Sequence, residues 1–147
     1  MIRLLSAAAL CVATALRAQT LQPEARLDVM GPRPYSVEPG IGVILPLGYY
    51  VRVSAGVGYA LPIETSLGGD RWRTDLLARA TFDPFRQQRW GLSIGGGLSY
   101  RRSTTYLAAI ADIEGSEMRG LLPALQVGVS GGVRAGIILR RAVARRR

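Results

Sequence analysis

The stretch Arg71-Trp72-Arg73-Thr74-Asp75-Leu76-Leu77-Ala78-Arg79-Ala80-Thr81-Phe82 decides the fold. Trp72, Thr74, Leu76, Ala78, Ala80 and Phe82 fall on one side of a period of two. Arg71, Arg73, Asp75, Leu77, Arg79 and Thr81 fall on the other. In a strand successive side chains point to opposite faces, so this is a strand with one apolar and one largely charged face. The next segment repeats the design: Trp90, Leu92, Ile94, Gly96, Leu98 and Tyr100 alternate with Arg89, Gly91, Ser93, Gly95, Gly97, Ser99 and Arg101.

Working outward, residues 51–61 alternate in the same way, and weaker alternation marks 24–31, 39–47, 105–114, 121–130 and 132–141. That makes about eight strands. Turn-forming residues separate them, at Pro32 to Pro39, Leu47-Gly48-Tyr49, Pro62 to Asp70, Asp83 to Gln88, Arg102 to Thr104, Gly115 to Gly120 and Gly131-Gly132. Connections this short join antiparallel neighbours, and the expected fold is an all-β, antiparallel, up-and-down barrel. The segment 105–114 fits least well, because Tyr106 and Ile110 share a face with Asp112 and Glu114; a β-bulge is expected there.

The chain opens on a different pattern. Met1-Ile2-Arg3, an uncharged Leu- and Ala-rich run from Leu4 to Leu16, and the boundary Ala18-Gln19 read as a signal peptide over residues 1–19, followed by a barrel domain over 20–147 with a basic C-terminal tail. The apolar run is too short to span a bilayer as a helix. Cys11, the one cysteine, lies within it, so the exported chain has no disulfide to staple it.

Aromatic spacing indicates which face meets what. Trp72 and Phe82 lie ten residues apart on one apolar face, and Trp90 and Tyr100 lie ten apart on the next. At a rise of about 3.3 Å and a tilt of about 40°, ten residues span about 25 Å, the height of the lipid-facing band of a transmembrane barrel. These four residues are expected to form aromatic girdles facing lipid. The opposite face, with Asp28, Arg52, Asp75, Arg79, Asp112, Arg134 and Arg140, is then expected to fill the lumen with paired charges, since eight strands enclose room only for side chains. Arg33, Arg71, Arg73, Arg101 and Arg102 are expected at the outer rim, with lipid phosphates as partners.

In strand number, strand length, short turns and signal peptide the mature chain resembles small eight-stranded outer-membrane barrels of the OmpA and OmpX kind. Stretches such as Asp83 to Leu92 and Gly131-Gly132-Val133-Arg134 also look like uncharacterised exported barrel proteins of high-GC bacteria. Such barrels usually end in an aromatic residue, whereas this chain ends Ala144-Arg145-Arg146-Arg147. The resemblance implies the outer membrane and no particular activity.

The residue inventory bears on function. There is no His, and the mature chain has no Cys, so the commonest general base, metal ligand and thiol nucleophile are missing. A non-enzymatic protein without metal or cofactor is the expectation. The net charge of +9 is carried by arginines scattered singly along strands, which together with export argues against nucleic acid as a partner. Two functions fit: an outer-membrane barrel with a structural or surface-interaction role, or a soluble periplasmic β-barrel that binds a small apolar ligand.

Overall fold

The computed structural model describes residues 21–31, 35–63, 71–82 and 90–142. The segments read as signal peptide and C-terminal tail lie outside the described residues, as does Arg33. The strands are β1 (Gln22–Gly31), β2 (Ser36–Leu47), β3 (Val51–Tyr59), β4 (Leu61–Pro62), β5 (Trp72–Thr81), β6 (Gly91–Arg101), β7 (Thr104–Glu114), β8 (Leu121–Val129) and β9 (Val133–Arg141). Both β3 and β4 pair with β2 in one register, Gly40 with Gly58 and Val37 with Leu61, and Ala60 between them donates its N–H to Arg71 O at 2.8 Å. They form one strand, which brings the total to eight. Each strand pairs antiparallel with its neighbours in sequence, and β1 also pairs with β9, so the sheet closes. Closure leaves no sheet edge along the wall.

Register fixes the shape of the cylinder. Partners can be followed round from Gln22 through Ile44, Ser54, Leu77 and Gly97 to Ala108, then, after one step to Ala109, through Val129 and Val133 to Gly31. The path returns nine residues further along β1, and with the one stepped residue the shear is ten. Eight strands at that shear tilt about 40° and form a backbone cylinder of radius about 8 Å. Each residue then climbs about 2.5 Å along the axis.

Two-residue hairpins close two of the connections. Arg102 (φ 50°) and Ser103 (φ 61°) link β6 to β7, and Arg119 (φ 51°) with Gly120 (φ 78°) turn the chain ahead of β8. Positive φ at both central residues matches the right-handed twist of the flanking strands. The bulge expected in 105–114 is absent: β6 and β7 pair without interruption from Gly91–Glu114 to Arg101–Thr104. Ala108 and Ile110 are accommodated inside instead, packed with Leu77 in a small apolar layer. Gly128 lies opposite Ile110, and a β-carbon there would come 2.9 Å from Ile110 Cγ2.

The distribution of polarity is inside-out. Among the described residues twelve charged side chains are buried, and the large exposed side chains on the strands are Leu, Ile, Val and aromatics. Small residues make the interior wide enough. A β-carbon at Gly40 would stand 3.1 Å from Arg26 Cγ, and one at Gly136 would collide with the Asp28 carboxylate.

Candidate functional site

The charged inward positions of the wall feed one column of ion pairs. Near the end opposite the termini, Arg101 donates to Glu38 at 2.6 Å and to the Ser36 hydroxyl at 3.0 Å. Arg73 also pairs with Glu38, reaches Asp28 at 2.5 Å, and has Nε 3.2 Å from Asp75. Asp75 accepts from Arg134 at 2.9 Å and from the Ser99 hydroxyl at 2.7 Å.

A second group occupies the half nearer the termini. Arg140 spans three acids, Glu114 at 2.5 Å, Asp112 at 2.8 Å and Glu24 at 3.4 Å. Arg79 lies 3.4 Å from both Glu24 and Asp112, and the half-buried Arg52 donates to Glu114 at 2.7 Å. Each group thus sets three arginines against three carboxylates.

Arg26 and Gln126 join the two groups at mid-height. Arg26 sits 3.1 Å from Asp28, 3.4 Å from Asp75 and 3.8 Å from Glu24, and donates through Nη2 to Gln126 Oε1. Gln126 accepts from Arg134 at 2.9 Å as well, and its amide donates to Asp112 at 2.6 Å. A neutral amide can accept on one atom and donate on the other, so it links cations to an anion where a further charge would unbalance the site. Among the described residues seven guanidiniums therefore face six carboxylates, and Arg26 is the cation in excess.

Asp28, Arg52, Asp75, Arg79, Asp112, Arg134 and Arg140, the residues expected in the lumen, all point inward and share this column. The structure adds Glu24, Arg26, Glu38, Arg73, Arg101, Glu114 and Gln126 to it. Arg73 and Arg101 correct the rim reading: they lie near that end, but they share the inward face of Asp75 and Ser99 and are almost fully buried, at 1% and 7% exposure. Rim proximity fixes height, whereas strand parity fixes direction. Of the other rim residues, Arg71 is exposed and Arg102 is half-buried in its hairpin. Glu24 and Arg26 carried a legible signal, since they alternate in phase with Asp28. Glu38 did not, because Pro39 reads as a strand breaker although it lies within β2, opposite Leu27.

Outside, Trp72, Phe82, Trp90 and Tyr100 all face away from the lumen and are exposed. Trp72 and Tyr100 stand at the end opposite the termini with Tyr35 and Tyr59, the last packed edge-on against Trp72 at 5.2 Å. Phe82 and Trp90 stand at the other end with Tyr49 and Tyr50. On the register-derived scale the two rings lie about 25 Å apart along the axis. Among the described residues no aromatic side chain points outward between them.

Each carboxylate of the column is held by one or more arginines, and among the described residues no group of three acidic, His or Cys side chains is placed to hold a metal ion. No protein-family model and no curated protein matches the chain. Among solved structures it is similar to a protein described as "De novo design of transmembrane beta-barrels", with TM-score 0.64 and 14% identity over 83% of this chain and 95% of that one. It is also similar to the solution NMR structure of de novo designed TMB2.3, with TM-score 0.60 and 15% identity over 84% of this chain and 94% of that one. At such identity the likeness is one of fold.

Proposed function

We propose that the chain is an outer-membrane β-barrel with a structural or surface-interaction role, non-enzymatic, its lumen closed by the ion-pair column. The observation that carries this reading is the inversion of polarity between two aromatic rings about 25 Å apart, the height of the apolar band of such barrels. In water, so continuous an apolar wall would be an aggregation surface. In a bilayer the same wall is solvated by lipid, the closed sheet pairs its backbone strand to strand, and the charges are screened from lipid by the sheet. Tyr and Trp favour the interfaces because their rings are apolar while their O–H and N–H can reach water.

A soluble periplasmic barrel holding an apolar ligand would need a greasy interior, whereas here the layer of Leu77, Ala108 and Ile110 and the buried Met30, Ile44 and Ile138 are set among charges. Outer-membrane lipid is the proposed partner of the wall, and its phosphates the proposed partners of Arg71 and Arg102 at the rim. Cell fractionation with tryptophan quenching tests the reading. Extraction should require detergent, and lipids brominated near the headgroup should quench Trp72 and Trp90 more strongly than lipids brominated at the chain end. Release by osmotic shock, with equal fluorescence in brominated and ordinary lipid, would establish the soluble alternative.

A further inference from the structure

The column is not closed at the end away from the termini. Glu38 is shared by Arg73 and Arg101, and Arg102 follows directly, with no ion pair among the described residues. Arg101 is held by Glu38 at 2.6 Å and has two further cations, Arg102 and Arg73, beside it. Two guanidinium N–H groups here, Arg101 Nε and Arg102 Nη2, are buried and have no hydrogen-bond partner. Deeper in the lumen Arg26, Arg73, Arg79 and Arg134 also carry N–H groups without a hydrogen bond, but each of those guanidiniums has another nitrogen within 3.4 Å of a carboxylate, whereas Arg102 has none among the described residues. Among the described residues no second carboxylate serves the pair at the mouth.

The backbone holds these donors in place. β7 pairs with β6 from Thr104 to Glu114 but with β8 only from Ala109 to Glu114, so the β6–β7 hairpin overhangs its neighbour. Its tip is Arg102-Ser103, both at positive φ, where Asn-Gly is the unstrained choice. Continuing the β5–β6 register sets Arg71, exposed, level with Ser103. Strain is thus tolerated at a turn whose first residue is a cation with an unpartnered donor beside a second one.

We propose that this mouth is an anion site for a phosphate group, gripped by Arg101 and Arg102. A guanidinium presents paired N–H donors at the spacing of phosphate oxygens, and an anion offsets the unpaired charge of Arg102. Arg101 points into the barrel mouth, away from the apolar wall, so the phosphate approaches from the aqueous side. Either a soluble phosphate or a lipid headgroup curled over the rim supplies that chemistry. The site does not depend on whether the outer wall meets a bilayer.

Calorimetric titration of the mature protein, folded in an uncharged sugar detergent, tests it with inorganic phosphate and separately with mixed micelles containing phosphatidic acid. Saturable one-to-one binding is expected, weakened at least about tenfold by Arg102→Asn, which removes the charge while keeping a residue that accepts positive φ. Arg119→Asn, the same exchange at a positive-φ turn of the other end, should bind as wild type does. Binding of inorganic phosphate identifies the aqueous source, and binding of phosphatidic acid alone identifies the headgroup, provided either is lost in Arg102→Asn. No binding to either probe, or equal binding by wild type and Arg102→Asn, would overturn the site and leave the tryptophan quenching unaffected.

Discussion

Replacing Asp75 by Ala tests whether the column stabilises the barrel. Asp75 lies where Arg26, Arg73 and Arg134 converge at 3.4, 3.2 and 2.9 Å, and it also accepts the Ser99 hydroxyl. Among the described residues its removal leaves seven guanidiniums facing five carboxylates and strands Arg134, which makes no other ion pair there. Removing one partner from a buried ion pair costs about 3–5 kcal/mol, because the remaining charge stays desolvated. At about 4 °C per kcal/mol for a domain of this size, the melting temperature should fall by about 12–20 °C. The assay is the temperature at which the compact, faster-migrating gel band of the folded barrel disappears, with far-ultraviolet circular dichroism alongside. Asp75→Asn should cost less, since an amide oxygen still accepts from Ser99. Adding Arg134→Gln to Asp75→Ala should restore part of the loss, giving a positive coupling in the double-mutant cycle. A melting temperature within about 2 °C of wild type, as expected for an exposed substitution such as Val127→Ala, would show that the column does not stabilise the fold.

Three further outcomes follow from the same geometry. Purified protein in a planar bilayer should show no steady single-channel steps, because a cylinder of radius about 8 Å crossed by arginine side chains leaves no open lumen; stable conductance would refute the plug. With neither His nor Lys in the chain, thermal stability should be flat from about pH 6 to about pH 9. It should fall below about pH 4 as protonated carboxylates leave the guanidiniums unbalanced, and a transition near neutrality would contradict this network. Gly136→Ala should destabilise by about 1–3 kcal/mol, since its β-carbon meets the Asp28 carboxylate and lies 2.7 Å from Leu27 O, whereas Gly120→Asn, in open space, should cost little; equal melting of the two would show that the interior is looser than described.

What the sequence determined by itself is direction. A period of two assigns each side chain to a face, and ten-residue aromatic spacing indicated which face is outward, so the eight strands, the barrel class and the inward Asp75, Arg79 and Arg140 were legible without coordinates. Strand ends were less so. Pro39 masked the start of β2 and with it Glu38, because proline reads as a break even where its neighbours tolerate a missing N–H. Arg73 and Arg101 were misplaced because proximity to a turn outweighed parity in reading them. Only the tertiary structure decided who pairs with whom. Arg140 meets Glu24, and Arg26 meets Gln126, across separations of 116 and 100 residues. Those meetings depend on the shear accumulated around eight registers, where a slip of one residue at any hairpin would turn every side chain beyond it to the other face. Alternation is a property of each strand alone, whereas the charge column exists only once the last strand has closed on the first.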